Sequence, residues 1–391
     1  MRKVLFFTYD FPYPITSGGK NRAYHMLKYA SNDVELHLFS FIRPGFKEVY
    51  KEELKKIGVK NSTLFERPAA KKIQILKKVI QKPQQSIFKS LYYSSEIDKK
   101  LEDYMRVNEI SILHAESFYT GFYLSKQKKD YGIKQIYGSE NVEHMLYKEY
   151  VENSVSFLQK PLYSYQVKRI LMEEKKMSDV ADVCLTVSQE DKQKLSRITK
   201  TPIKVVDNGI DTKKIQLVKK TLSNKILFVG NFSYFPNIKA IEDFYSEVFL
   251  KIPNATLVIV GKDAGLKLSF IDDKRVEIYN FVEDLADVYQ SARAFVFPIR
   301  FGGGTNFKVL EAMAYGVPLV AFPDKITNIE GISGGDYFPV DTFEEMKNTL
   351  ISILEGKLDV SGPVLQSRKI VEKNYSWEKI GLNLSKIWQN L

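Results

Sequence analysis

The residues best placed to do chemistry lie in one segment of the chain, residues 297–322, which reads FPIRFGGGTNFKVLEAMAYGVPLVAF. An apolar run ends there at Pro298, three glycines follow at 302–304, and a helical pattern begins near residues 306–308. Glycines let the backbone approach a ligand closely, and the free amides at a helix start favour a phosphate group. Lys308 adds a cation that the helix dipole alone would disfavour, which indicates that an anion binds between them.

Glu311 follows Lys308 by three residues, so the two side chains share one face of the predicted helix. A carboxylate at this place can accept hydrogen bonds from sugar hydroxyls. The alternative is an ordinary glycine-rich turn in which Lys308 and Glu311 are simply solvated, because such turns are common. The segment therefore predicts a site for a phosphate-bearing ligand and leaves the ordinary turn as the alternative.

The composition limits the classes of protein to which the chain can belong. Its 391 residues are 44% apolar and 27% charged, which excludes a disordered or fibrous protein and favours two domains. The formal net charge of +11 predicts a surface that meets an anionic partner. Cys184 is the single cysteine, so no disulfide or cysteine metal cluster can form, and we expect a cytoplasmic protein. No segment reaches the roughly 18 uncharged residues of a membrane span.

Short apolar runs alternate with polar segments of helical period, which is typical of α/β domains with parallel sheets. Near residues 201–202 the pattern restarts, and a strand there is predicted to open the second domain. The predicted strands are 4–8, 34–41, 111–114, 134–137 and 183–187, then 203–206, 225–229, 256–260, 276–279, 294–298 and 318–322, with helices at 285–291 and 308–315.

Further segments fall in a fixed order along the chain. They are FPYPITSGGKNRAYHMLKYA at 11–30, VSQEDKQKL at 187–195, DNGID at 207–211, FVGNFSYFPNIKAI at 228–241, GGGT ahead of KVLEAMA at 302–314, and YSWEKIG at 375–381. Together they resemble glycosyltransferase family 4, the retaining nucleotide-sugar transferases of the GT-B fold, in its GGGT variant.

This resemblance implies an α/β protein of two Rossmann-like parallel-sheet domains that face each other across a cleft. Residues 1–200 would bind the acceptor, joined by a C-terminal helix at 376–391, and residues 201–375 would bind the donor. The resemblance also implies that the nucleotide sugar is a substrate, and that neither a cofactor nor a metal is needed. Consistent with this, no DxD carboxylate pair stands at a strand end of the first domain.

The donor site follows from the matching motif positions. By resemblance, Glu311 holds the ribose hydroxyls, and Lys308 faces the pyrophosphate, where negative charge grows as the sugar leaves. The implied donor-binding residues are Gly18, Gly19, Arg22, Asn231, Gly303, Gly304, Thr305, Asn306, Lys308 and Glu311.

Two positions depart from the family pattern. Gly303 stands where the motif has its first glutamate, so recognition of the sugar hydroxyls must differ here. Asn231 stands where many members have an arginine, and the lysine that follows a turn later is also missing. Lys239 or Arg300 could replace these cations, and Lys308 becomes more important for binding the diphosphate.

Candidate catalytic residues lie in the first domain. Glu140 in YGSENVEH occupies the place of the family's catalytic histidine, and His114 and His144 are the alternatives. Glu116 and Glu140 could orient acceptor hydroxyls or stabilise positive charge on the transferring sugar. For each of these carboxylates an ordinary ion pair is the alternative, and for His114 it is a structural role. The candidate catalytic residues are therefore His114, Glu116 and Glu140.

The residues 67–89 contain seven basic side chains and no acidic one, among apolar residues of helical spacing. Such a stretch could dock on an anionic membrane surface, or it could be a solvated helix face. A nucleic-acid partner is not expected, because no RNA or DNA module is recognised.

The resemblance thus implies transfer of a sugar from a nucleotide donor to a carbohydrate or lipid-linked glycan acceptor. We expect this reaction to serve the assembly of a bacterial cell-surface polysaccharide, in the cytoplasm or peripherally on the inner face of the plasma membrane. A GT-B sugar-nucleotide epimerase and a degenerate, non-catalytic transferase partner remain as alternatives.

Overall fold

The computed structural model describes residues 1–30, 33–67, 81–217, 223–300, 307–326 and 329–391, without the side chains of residues 153 and 154. These residues form two compact units. The first comprises Met1–Asp207 and Glu378–Leu391, and the second comprises Asn208–Trp377. The predicted stretch 67–89 is described only at 67 and from 81 onward.

The first unit is built on a seven-stranded, all-parallel sheet in the order β3-β2-β1-β4-β5-β6-β7. Residues 4–7, in an inner strand of this sheet, are fully buried, as expected when helices cover both faces of a parallel sheet. Its strands are β1 (Arg2–Thr8), β2 (Val34–Ile42), β3 (Val59–Glu66), β4 (Ile112–Glu116), β5 (Lys134–Ser139), β6 (Val183–Thr186) and β7 (Ile203–Val205).

The helices of this unit follow the strands along the chain, and the C-terminal segment of the chain returns to add the last helix. They are α1 (Gly18–Ala30), α2 (Tyr50–Lys56), α3 (Ile87–Tyr92), α4 (Ser95–Val107), α5 (Phe118–Gly121), α6 (Lys126–Asp130), α7 (Glu143–Ser154), α8 (Lys160–Val180), α9 (Gln189–Leu195) and, at the C-terminus, α16 (Trp377–Gln389).

The second unit has a six-stranded parallel sheet in the order β10-β9-β8-β11-β12-β13. Its strands are β8 (Lys225–Val229), β9 (Thr256–Val260), β10 (Val276–Tyr279), β11 (Ala294–Phe297), β12 (Leu319–Ala321) and β13 (Phe338–Pro339). Its helices are α10 (Phe235–Glu247), α11 (Ala264–Lys267), α12 (Leu285–Ser291), α13 (Phe307–Tyr315), α14 (Phe343–Leu354) and α15 (Ser361–Asn374). The fold is therefore α/β with two Rossmann-like sheets.

One predicted strand lies in the other unit. The strand at 203–206 was expected to open the second domain, but β7 pairs in parallel with β6 and forms the edge of the first sheet. The boundary between the two units lies at residues 207–208 instead of 200–201. A short strand does not reveal from its sequence which sheet edge it will join.

In each sheet the strand order reverses direction beside the first strand of the unit, which is where α/β proteins bind ligands at the carboxyl edge. In the first unit this point lies between β1 and β4, whose last residues Thr8 and Glu116 are in register. In the second unit it lies between β8 and β11. Most of the candidate residues lie at or after the carboxyl ends of these strands.

The described helices do not include one that is long and apolar enough to cross a membrane.

Gly261, which follows β9, allows a close approach to the backbone after β8. A Cβ atom at Gly261 would overlap the carbonyl oxygen of Gly230, and its φ of +156° is one that other residues rarely adopt. We expect Gly261→Ala to lower the free energy of unfolding by about 3 kcal/mol or more, because a backbone atom cannot move aside cheaply. Gly362→Ala is the matched control, since a Cβ atom there meets nothing within 4 Å.

We expect Gly362→Ala to raise the free energy of unfolding by up to about 1 kcal/mol, because Gly362 lies in α15 and alanine favours a helix more than glycine does. Urea denaturation of both variants measures the difference. Equal stability of Gly261→Ala and the parent protein would contradict the packing described for these two strand ends.

Candidate functional site

In the first unit a chain of buried polar groups fixes Glu116 at the end of β4. The Arg22 Nε donates to Glu116 Oε1 at 2.7 Å, and His114 Nε2 lies 2.8 Å from Glu116 Oε2. Trp388 Nε1 donates to His114 Nδ1 at 3.2 Å. Because Nδ1 accepts this bond, the proton of His114 sits on Nε2 and is donated to Glu116. Gly138 makes room for this carboxylate, since a Cβ atom there would overlap it.

The charge of Glu116 is strongly stabilised in this arrangement. Burial disfavours the ionised carboxylate, but the Arg22 guanidinium and His114 outweigh that effect and hold the pKa of Glu116 at about 2. Glu116 is therefore ionised at all physiological pH values, and it supplies a fixed negative charge rather than a proton donor.

Two sequence predictions change as a result. His114 is fully buried, with both ring nitrogens hydrogen-bonded and Phe6 edge-on at 4.6 Å, so it holds Glu116 and does not face a ligand. Arg22, predicted to bind the donor phosphate, is also buried and donates to Glu116 and to the backbone carbonyls of Val206 and Asp207. Both residues position other groups.

Glu140 follows β5 and lines a cleft of about 190 Å³ at the carboxyl edge of the first sheet. Burial and the nearby negative charge of Glu116 raise the pKa of Glu140 to about 7. Gly19, at the start of α1, lies so close that a Cβ atom there would be 3.3 Å from the carboxylate oxygens. The other residues lining the cleft are Thr8, Tyr9, Asp10, Ser17, Lys20, Ala23, Arg43 and Glu116. The cleft thus places a carboxyl group that titrates near neutrality beside the glycine-rich turn of 18–19.

The turn that carries Glu140 is held by Glu174, which the sequence did not single out. Glu174 is fully buried in α8, and its carboxylate accepts from the backbone N–H of Glu143 at 2.9 Å and of His144 at 3.2 Å. It also lies 2.6 Å from His144 Nδ1, so the alternative catalytic residue His144 is engaged in a structural contact. Glu174 therefore caps α7. No sequence signal marks it, because it reads as one of several charged residues in a helix.

In the second unit, Lys308 begins the site at the first turn of α13. Its Nζ donates to the amide Oδ1 of Asn237 at 2.7 Å, and it lies over the rings of Phe228 and Phe297 at 4.8 and 5.2 Å. Burial lowers the pKa of Lys308 to about 7, and no carboxylate among the described residues compensates its charge. Asn237 in turn donates to the backbone oxygen of Asn231 at 2.7 Å, which ties the loop after β8 to the lysine.

Glu311 lies one turn further along α13. The hydroxyl of Tyr289 donates to its Oε2 at 3.0 Å. Burial raises the pKa of Glu311 to about 7, and the Tyr289 hydrogen bond opposes this only in part. Lys308 and Glu311 thus lie on one helix with pKa values displaced toward each other, as is typical of functional sites.

The remaining predicted donor residues have mixed outcomes. Asn231 is exposed, and its Oδ1 accepts from the backbone N–H of Ser233 at 2.9 Å. Lys239 is paired with Asp243 at 2.5 Å on its own helix, and the Arg300 guanidinium stacks on Phe322 and Phe343. Neither Lys239 nor Arg300 therefore joins Lys308. The residues Gly303, Gly304, Thr305 and Asn306 lie outside the described residues.

Asn237 joins this candidate site through its bond to Lys308, and the sequence analysis did not select it. It was part of the segment 228–241, which was quoted for its resemblance, but no role was assigned to it. Its position two residues into a proline-initiated helix was the available signal, because a buried amide at a helix start usually has a partner.

Comparisons with known proteins indicate the class of protein to which the second unit is similar. Residues 223–355 match the family model described as Glycosyl transferases group 1, and this range contains Asn231, Asn237, Lys308 and Glu311. A comparison with curated protein sequences finds no match.

Solved structures similar to the chain include a synthase and two proteins in complex with UDP. Sucrose-phosphate synthase from Thermosynechococcus elongatus has a TM-score of 0.73 at 16% identity, over 100% of this chain and 99% of that one. Anabaena HepE in complex with UDP and glucose has a TM-score of 0.70 at 12% identity, over 100% of both chains. A variant of TarM from S. aureus, in complex with Fondaparinux, alpha-GlcNAc-glycerol and UDP, has 0.67 at 11% identity, over 99% of this chain and 100% of that one.

At these identities the solved structures establish the fold, and the family match adds the enzyme class for the second unit. The chain has the GT-B fold, and the family match places a glycosyltransferase domain in residues 223–355.

Proposed function

We propose that the protein transfers a sugar, with retention of anomeric configuration, from a nucleotide sugar to a carbohydrate or lipid-linked glycan acceptor. The family proposed is glycosyltransferase family 4. The cellular role proposed is assembly of a bacterial cell-surface polysaccharide at the inner face of the plasma membrane. Anabaena HepE, which is similar in fold, has been solved in complex with UDP and with UDP-glucose, so UDP-sugars are the first donors to test.

The observation that carries the proposal is the environment of Lys308. This ammonium group lies at a helix start against two aromatic rings and one amide oxygen. Within the part of the chain that the structure describes, it has no negative partner to offset its burial. A diphosphate would provide that partner. As the bond between sugar and diphosphate breaks, negative charge increases on the phosphate oxygens, and Lys308 then binds the transition state more tightly than the substrate. No metal or cofactor enters this proposal.

Glu311 suits the ribose of the same ligand. Its carboxyl group is already held on one side by Tyr289, so its free oxygen keeps a fixed direction for sugar hydroxyls. A ribose that donates hydrogen bonds to the ionised carboxylate would lower the pKa of Glu311, while the diphosphate would raise that of Lys308. Donor binding would therefore charge both groups at neutral pH.

In the first unit, Glu140 is the proposed contact to the acceptor hydroxyl, with Glu116 as the fixed charge beside it. Attack of the acceptor oxygen forms the new glycosidic bond, the bond to the diphosphate breaks, and the hydroxyl proton passes to a phosphate oxygen. Glu140 orients the hydroxyl and stabilises positive charge on the transferring sugar. This assigns Glu140, rather than His114, to the chemistry.

Replacing Lys308 tests the donor site. We expect Lys308→Met to weaken nucleoside-diphosphate binding by about 30-fold or more, because a charge-assisted contact to phosphate is lost. Isothermal titration calorimetry in the presence of EDTA measures the affinity. Lys239→Met is the matched control, since Lys239 is paired with Asp243, and it should change the affinity less than about twofold. Equal losses in both variants would contradict the role of Lys308.

The pH dependence of binding follows from the pKa of Lys308. Below about pH 7 the lysine of the free protein is already charged, so pH has little effect on it. Above that pH, binding must take up a proton, and we expect the affinity to fall by at most about tenfold per pH unit. Calorimetry between about pH 7 and pH 9 in two buffers of different ionisation enthalpy measures the proton uptake.

Lys308→Arg should remove this dependence, because an arginine stays charged throughout the range. Glu311 titrates in the same range, so the experiment is repeated in the Glu311→Gln background. A wild-type affinity that stays constant or rises with pH would contradict the assignment of Lys308.

Replacing Glu140 separates chemistry from donor binding. We expect Glu140→Gln to leave nucleoside-diphosphate affinity unchanged and to lower the rate of donor consumption by about 100-fold. The parent rate should rise as pH increases through about 7, where Glu140 loses its proton, and the variant should lack this rise. Glu109→Gln is the control, since that carboxylate is 82% exposed on the surface. An unchanged rate in Glu140→Gln would contradict the proposed role.

A further inference from the structure

The strongest unassigned surface lies at the tip of the α7–α8 hairpin in the first unit. Phe157 and Leu158, in the turn between the helices, are 84% and 89% exposed. Leu162 and Met172 on α8 are 57% and 60% exposed, and Tyr150 on α7 is 48% exposed. Large apolar side chains so fully in water, and so close together in sequence, are unusual on a soluble protein and indicate an interaction surface.

The outer face of α8 continues this surface. The residues Leu162, Tyr165, Arg169, Met172 and Lys176 are spaced three and four apart, so they lie along one face of the helix. Four of them are exposed and Arg169 is half-buried, whereas Ile170, Glu174 and Met177 on the opposite face are buried. The helix therefore packs on the unit with one face and presents apolar and cationic side chains with the other.

The middle of this surface carries cationic side chains, and Glu152 and Glu173 border it in the chain. Residues 153–172 contain Lys160, Lys168 and Arg169 and no acidic residue. The Arg169 guanidinium carbon lies 4.8 Å from the centre of the Tyr165 ring, and Arg169 Nε donates to the Tyr165 hydroxyl. These contacts hold the aromatic ring in place. Large apolar side chains at a tip, with lysine and arginine on the flank, match the chemistry of an anionic lipid surface.

A second acid-free stretch is joined to the first. Described residues from the end of the 67–89 segment pack on α8: Tyr165 donates to the Pro83 carbonyl oxygen at 2.7 Å, and the Ile87 N–H donates to Gln166 at 2.9 Å. The exposed Lys82 lies next to this contact in the chain. The cationic surface thus continues from α8 into the segment that the sequence alone indicated.

We propose that the first unit docks on an anionic membrane surface through the α7–α8 hairpin, with Phe157 and Leu158 entering the interface and Lys160 and Lys168 meeting the lipid phosphates. The partner is a lipid bilayer. This inference does not rest on the proposed transfer reaction, because it concerns a surface on other elements than the donor and acceptor residues. It assigns the membrane contact to side chains of 157–168 and no longer to 67–89 alone.

The full-length protein is mixed with vesicles of phosphatidylcholine containing about 30 mol% phosphatidylglycerol and with pure phosphatidylcholine vesicles, and the bound fraction is measured by flotation. We expect binding to the anionic vesicles at about 0.05 M NaCl and a loss of at least about fivefold at about 0.5 M. Phe157→Ser/Leu158→Ser should weaken the partitioning by about tenfold or more. Lys160→Gln/Lys168→Gln should weaken binding to anionic vesicles only.

Matched controls keep these losses specific. Leu266→Ser/Phe270→Ser removes two exposed apolar side chains of the second unit, and Lys126→Gln/Lys200→Gln removes two exposed lysines elsewhere in the first. Both controls should bind like the parent protein. Circular dichroism and nucleoside-diphosphate affinity should be unchanged in every variant, so a folding defect or a failed donor site is recognised separately.

Phe157→Trp gives a direct report of insertion. Both native tryptophans, Trp377 and Trp388, are buried, so a new residue at the tip dominates any change on adding vesicles. We expect its emission to shift to shorter wavelength and to be quenched by brominated lipid. Absence of binding at low salt, or binding that Phe157→Ser/Leu158→Ser leaves unchanged, would overturn the proposal. A concentration-dependent dimer that this double variant abolishes, without vesicle binding, would assign the surface to a second copy and overturn it too.

Discussion

The proposed donor site depends on one constraint, the burial of the Lys308 ammonium group with no negative partner among the described residues. Lys308 reaches into the junction of β8 and β11, where Phe228 and Phe297 give it ring faces and Asn237 gives it one amide oxygen. Ring faces and a neutral amide stabilise a cation less than a carboxylate does. The site is therefore prepared for an anion. Its surroundings are rigid, because the rings belong to buried strands and Asn237 is bonded to the backbone of Asn231.

The first unit uses charge in the opposite way. Its buried carboxylate, Glu116, is fully compensated by Arg22 and His114, and the last helix completes the arrangement by delivering Trp388 to the histidine. That helix is fixed in its turn by the Ser385 hydroxyl, which donates to Asp33 at 2.9 Å. Once Glu116 is held as a permanent anion, the neighbouring Glu140 cannot ionise easily. This leaves one titratable carboxyl group in the cleft near neutral pH.

The sequence predicted the fold well where burial leaves a simple pattern. The apolar runs at 225–229 and 256–260 are strands with the predicted bounds, because strands buried on both faces read as nearly unbroken apolar stretches. The strand Val59–Glu66 was missed, since the edge of a sheet tolerates its polar residues. In the candidate site, helix spacing predicted that Lys308 and Glu311 share one helix, and both lie on α13. The buried setting of His114 could not be predicted, because its partner Trp388 is 274 residues away and no local pattern shows that contact.

The central claim is that this chain transfers a sugar from a nucleotide donor, with retention and without a metal. Incubation with individual nucleotide sugars in EDTA, followed by proton NMR of the anomeric signals, tests it most directly, because slow transfer to water needs no knowledge of the acceptor. The account predicts that one donor is consumed, that nucleoside diphosphate appears in equal amount, and that the first sugar released keeps the anomeric configuration of the donor. Release of the inverted sugar, formation of an epimer, or no release from any donor would contradict it.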